Sequence, residues 1–117
     1  MNNVLKNKSY DFALRIVNLT KYLQEEKKEF ILSKQILRSG TAIGALIAES
    51  EYAQSKSDFI SKLHISIKEA NETNYWLNLL KDSSYINDKM HKSISPDLTE
   101  LLKILTSSIK TAKENNV

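Results

Sequence analysis

Two histidines, His64 and His91, are the only imidazoles in the 117-residue chain, so they bound its acid–base and metal chemistry. A helical di-iron site needs Glu-x-x-His on two helices and two further glutamates. Here Asp88 precedes His91 by three residues, while Glu69 and Glu72 form Glu-x-x-Glu with no histidine beside them. That pattern does not make a metal site, and its plain reading is solvated polar positions. An Arg–His pair on one helix could do acid–base work on RNA, yet neither Arg15 nor Arg38 has a histidine within the next several residues. The chain has no cysteine, which removes thiol nucleophiles, thiolate metal sites and disulfides. Gly40 and Gly44 fall inside an amphipathic stretch, not in a phosphate-cradling loop, and no serine sits in a nucleophile elbow. The expectation is a non-enzymatic protein with no metal or cofactor.

Two other sets of residues could meet a macromolecule. Lys6, Lys8, Arg15, Lys21, Lys27 and Lys28 give residues 1–28 six basic side chains against three acidic ones. They form either a solvated face or a phosphate-contacting surface for RNA or DNA. Ile65, Glu69, Glu72 and Trp76 recur at i, i+4, i+7 and i+11. Such a stripe suits a subunit interface anchored by an aromatic. Equally, Trp76 could cap the end of an internal core with the glutamates in solvent.

Long helices must position all of these. Two glycines and one proline are too few for the many tight turns of a β-sandwich. One domain over 1–117 fits the length. No apolar run approaches the roughly 18 residues of a membrane span, and the polar N-terminus lacks a signal-peptide core. A cytoplasmic location without membrane association is expected.

The apolar spacing predicts four helices. The first covers Ser9 to Leu23, capped by Ser9, with Asp11 in its first turn. Gln24 to Glu29 is a charged connector. The second covers Phe30 to Ala53, where Gly40, Gly44 and Ala48 recur at i, i+4 and i+8. Each glycine costs a helix interior about 1 kcal/mol. That small-residue groove implies close approach of another helix, the alternative being a kink at Ser39-Gly40. The third covers Ser57 to Lys81 after a Ser55–Asp58 capping box. Its seam is Ile60, Leu63, Ile67, Ala70, Asn74 and Leu77, with Asn74 as the polar register residue. Residues 82–94 form a long connector with a helical turn near Asp88. The fourth helix starts at Ser95-Pro96-Asp97. Asn115 to Val117 are expected to fray.

A tight bend near Ser55-Lys56 would fold the second and third helices antiparallel, so that facing residue numbers sum to about 111. Arg38 is then expected to pair with Glu72 or bond Tyr75, with Gln35 a turn away, and Glu49 to lie near Lys62.

Four segments carry a resemblance. They are Ser9-Tyr10-Asp11-Phe12-Ala13-Leu14; Gln35 to Ala45 with Glu49 beyond; Ser55-Lys56-Ser57-Asp58-Phe59; and Lys68 to Leu77. Together they resemble the bacterial four-helix-bundle family first noted as reading frames in intervening sequences of large-subunit ribosomal RNA genes. The resemblance covers nearly the whole chain. It implies an all-α, antiparallel up-and-down four-helix bundle, a ring-like homopentamer and no catalytic activity. A related branch is the accessory variability protein of diversity-generating retroelements, which is strongly basic, binds nucleic acid and partners a reverse transcriptase. The mild charge of the present chain fits that role less well. Carried over are Gln35, Arg38, Glu49, Glu69, Glu72, Tyr75 and Trp76, which with Gly40 and Gly44 are expected to determine fold and assembly. Leu46 stands where the family pattern has Asn, so any amide hydrogen bond there is absent. The leading expectation is a homo-oligomeric scaffold, and the alternative is a nucleic-acid-binding accessory.

Overall fold

The structure, a computed structural model, describes residues 3–115. Four helices follow in order: α1 (Asn3–Glu25), α2 (Leu32–Ser50), α3 (Lys56–Asp82) and α4 (Asp88–Glu114). Each packs on its chain neighbour and α4 closes against α1, giving an all-α up-and-down bundle about 50 × 21 × 19 Å. Among the described residues no helix is long and apolar enough to cross a membrane. Phe12, Ile16, Leu23, Ile36, Ile43, Ile47, Leu63, Leu77, Leu98 and Leu105 fill the shared core.

α1, α3 and α4 are longer than their sequence signals. α1 begins six residues before the expected Ser9 cap. Ser9 is instead buried inside the helix, its hydroxyl donating to the Lys6 carbonyl at 3.0 Å. Leu5 is equally buried, and that core contact carries the helix back past Ser9. α2 is shorter than expected, leaving Phe30 and Ile31 exposed in the connector before it. α3 starts as expected, with the Ser55 hydroxyl accepting from the Asp58 N–H at 3.0 Å.

Around α4 the expectation was wrong. The connector spans only 83–87, and Asn87 caps α4, its side-chain oxygen accepting from the Met90 N–H at 2.9 Å. Pro96 therefore lies well inside the helix, not at its start. An interior proline removes one backbone bond and costs about 3 kcal/mol. Burial of Ile86 and Ile94 in the core offsets that cost. Ser95-Pro96-Asp97 reads as a helix start because a proline at N1 and an interior proline leave the same local pattern.

The ends of α1 and α3 turn through left-handed residues. Lys28 has φ 53° and Ser84 has φ 69°. At α3, the Tyr85 N–H returns to the Leu80 carbonyl (2.9 Å) and the Ser84 N–H to Lys81 (3.0 Å), which is a Schellman closure with a serine in the glycine position. Asn116 and Val117, expected to fray, lie outside the described residues; Asn115 is exposed at the end of α4.

Candidate assembly surface

The α2–α3 hairpin is built to the expected register. Ser66 donates to the Ile43 carbonyl at 3.0 Å, and Thr73 Oγ1 lies 2.8 Å from Ser39 Oγ. These hydroxyls are fully buried and fix the register. Asn74, expected in that part, is only half-buried. On the rim of the same seam, Arg38 Nη1 is 3.1 Å from Glu69 Oε1, and Nη2 bonds Glu72 Oε2. Trp76 Nε1 donates to the same Glu72 oxygen at 3.0 Å, and Tyr75 meets the Trp76 ring edge-on with centroids 5.0 Å apart. The indole N–H, then the Arg38 guanidinium, hold the Glu72 carboxyl below the usual carboxylate range. Arg38 thus takes two glutamates and leaves Tyr75 exposed. Lys62 lies 3.8 Å from Glu49 at the other end of the stripe. Gln35 is exposed one turn before Arg38.

The glycines meet α1, and α2 continues unbroken through Ser39-Gly40. A Cβ on Gly40 would lie 2.9 Å from both γ carbons of Ile16, and one on Gly44 would lie 3.2 Å from the Ser9 carbonyl oxygen. Close helix approach, not a kink, explains both. Outside this contact a groove of about 700 Å³ runs between α1 and α2, lined by Tyr10, Ala13, Ala45 and Ala48 among others. Leu46 of α2 is half-buried.

The basic residues do not form one patch. Lys6 pairs with Glu51 (3.3 Å) and Lys8 with Glu100 (3.0 Å). Arg15 bonds Asp97 (2.7 Å) and the Ser93 carbonyl (2.8 Å). Lys27 lies 5.9 Å from the Tyr22 ring centroid. Lys21 and Lys28 are exposed with no ion pair among the described residues. Three of the six therefore tie helices together. His64 is exposed on α3, and His91 Nε2 lies 2.8 Å from Asn78 Oδ1.

Sequence reasoning missed Glu29. It was assigned to a charged connector, yet it is 7% exposed. Its carboxylate accepts from the N–H groups of Ile31 (3.1 Å), Leu32 (3.0 Å) and Ser33 (2.7 Å), the orphan donors at the start of α2. Burial pushes its pKa up, but the three backbone donors win and lower it. The return bond from the Ser33 hydroxyl to the Glu29 carbonyl (2.9 Å) makes Glu-x-x-x-Ser the signal that could have revealed it.

The family model for the 23S rRNA-intervening sequence protein matches residues 1–107. The chain belongs to this family. A solved crystal structure from Bacteroides thetaiotaomicron, described as a protein with unknown function from the S23 ribosomal protein family, is 60% identical. The likeness covers 92% of this chain and 96% of that one, with a TM-score of 0.91. No curated protein sequence matches the chain. The family and this neighbour agree with the four-helix architecture; neither description specifies a reaction or a binding partner.

Proposed function

We propose that this protein is a non-enzymatic, cytoplasmic scaffold that works as a homo-oligomer, with a pentameric ring as its assembled form. One observation carries the reading. Apart from Val4 near the start of α1, the exposed large apolar side chains among the described residues are gathered around α2: Tyr10 and Leu14 on α1, Phe30, Ile31 and Tyr52 at the two ends of α2, and Ile65 and Tyr75 on α3. None lies on α4, whose outer positions include Thr99, Lys103, Thr106 and Lys110. A one-sided apolar surface of this kind is the mark of a covered face. The charges beside it are already neutralised in the Arg38–Glu69–Glu72 and Lys62–Glu49 clusters, which lowers the cost of burying them. Light scattering across a range of concentrations tests the proposal, and a strictly monomeric mass overturns it.

A second reading is nucleic-acid binding, favoured by Lys21 near the C-terminal end of α1 and Lys28 just beyond it, both exposed and without an ion pair among the described residues. It requires binding to RNA or DNA that weakens steeply with salt. Undetectable binding at low ionic strength removes it.

A further inference from the structure

The carboxylates and lysines of α4 are sorted to different sides of the helix. Asp97 and Glu100, in its middle, both turn towards α1, where Asp97 lies 2.7 Å from Arg15 and Glu100 lies 3.0 Å from Lys8. Lys92, Lys103 and Lys110 follow one another at intervals of eleven and seven residues. Those intervals are about three and two helical turns, so the lysines share one line about 27 Å long at 1.5 Å per residue. All three are exposed, and none has an ion pair among the described residues. The neighbouring α3 adds no negative charge to this side. Between Phe59 and Lys81 its only acidic residues are Glu69 and Glu72, and both are held by Arg38 on the side of α2. The other carboxylates stand at the ends of the line: Asp82 and Asp88 flank the α3–α4 connector, and Glu114 lies one turn beyond Lys110. Two shallow depressions of about 780 and 530 Å³ run along the line and share Thr99 and Lys103. Lys81 and Lys92 border the first and Lys110 the second, with Ser95, Thr99 and Thr106 between the cations. No Phe, Tyr or Trp lines either depression.

Resting on the nucleic-acid reading, we infer that this outer face of α4 takes the backbone of double-stranded RNA. Lysines interleaved with hydroxyls are the side chains that meet phosphate and sugar without reading sequence. A single strand is held by stacking its bases on aromatic rings, and this face offers none. An RNA duplex instead presents phosphates and 2′-hydroxyls together across a shallow minor groove, which suits cations with Ser and Thr between them. The basic residues of α1 suit that role less, since Lys6, Lys8 and Arg15 are already in ion pairs. α4 lies diagonally across the bundle from α2 and carries no exposed large apolar side chain, so RNA on this face leaves the apolar surface around α2 uncovered.

Fluorescence anisotropy of a labelled RNA duplex, titrated with the full chain between about 50 and 200 mM salt, tests this. Lys92→Gln/Lys103→Gln/Lys110→Gln is expected to bind at least about tenfold more weakly and to flatten the slope of log affinity against log salt by about 2–3, at about 0.9 per phosphate contact. The matching triple Lys→Arg variant should keep the wild-type affinity, because it keeps the charge. Lys21→Gln/Lys28→Gln should bind as the wild type does. Circular dichroism confirms that each variant is folded. Binding that falls with Lys21→Gln/Lys28→Gln and survives the α4 glutamines overturns the inference and leaves the nucleic-acid reading intact. Loss of binding in the arginine variant overturns it too, since charge is then not what the RNA meets. Equal affinity for a DNA duplex or for the single strand of the same sequence overturns the assignment to double-stranded RNA. No binding of any nucleic acid at low salt removes the inference and the reading together.

Discussion

Arg15 reaches from α1 to the turn of α4 just before Pro96. Its Nη1 lies 2.8 Å from the Ser93 carbonyl and 2.7 Å from Asp97 Oδ2, and Nη2 lies 2.6 Å from Ser93 Oγ. An interior proline disturbs the backbone bonding of its preceding turn. The guanidinium supplies donors at that place. Arg15→Met is expected to destabilise by about 1 kcal/mol, an estimate held low because the ion pair with Asp97 is partly exposed and screened. The cost should shrink when Pro96→Ala is also present, with a coupling of about 0.5 kcal/mol or more. Urea denaturation of the four proteins in the cycle measures it, and strict additivity rejects the link to Pro96.

Removing the Glu29 carboxylate should cost about 1–2 kcal/mol, as for other lost helix caps. The pH dependence has a definite sign. The folded pKa is lowered, so this contribution is present above the unfolded value, near 4.5, and is lost as pH falls through the folded value. Wild-type stability should therefore fall more than that of Glu29→Ala between pH 6 and acid. Parallel slopes for the two proteins reject the cap.

Ser84 accepts a left-handed backbone that favours glycine. Ser84→Gly should raise stability by about 0.5–1 kcal/mol, relief of strain exceeding the entropy cost of glycine. Lys28→Gly should act in the same direction. Thermal melts decide, and a lower midpoint for Ser84→Gly contradicts the Schellman reading.

Gly40→Ala should destabilise although alanine is the better helix former. The added methyl meets the branched base of the buried Ile16 side chain, an overpacking cost of about 1–3 kcal/mol against a propensity gain of about 1. Pairing it with Ile16→Val should recover part of the loss. A stabilised Gly40→Ala would show that α1 moves away freely.

Trp76 is the only tryptophan, so its emission reports on Glu72 alone among the carboxylates hydrogen-bonded to its ring nitrogen. Glu72 is held ionised below the usual carboxylate range by the indole N–H and then by Arg38. Emission should stay constant from pH 7 to about pH 4.5, the ordinary carboxylate value, and change only below it. Glu72→Gln should shift it already at pH 7. A transition centred above the ordinary value rejects this.

The hairpin was legible because its signals are local: the Ser55 cap, the short bend, and the periodicity that sets Arg38 opposite Glu72. The small-residue groove was legible too, because glycine inside a helix needs a reason. α4 was misread because Pro96 carries the same local signal at a helix start as in an interior, and only the burial of Ile86 and Ile94 separates the cases. Glu29 was missed because its partners are backbone groups of the next helix, which composition does not display. The roles of Lys6, Lys8 and Arg15 depended on which carboxylates the closed bundle brings to them, and no spacing along α1 encodes that.

The seam between α1 and α4 is the thinnest of the four. Its bonds, such as Arg15 to Ser93, join residues 78 apart in the chain. Closing so long a loop is slow and comes after the α2–α3 hairpin has gathered its local contacts. Amide exchange should therefore proceed from this seam inward. A chain still being synthesised would carry an incomplete bundle until α4 has left the ribosome, with the core faces of α1 and α3 still open to water.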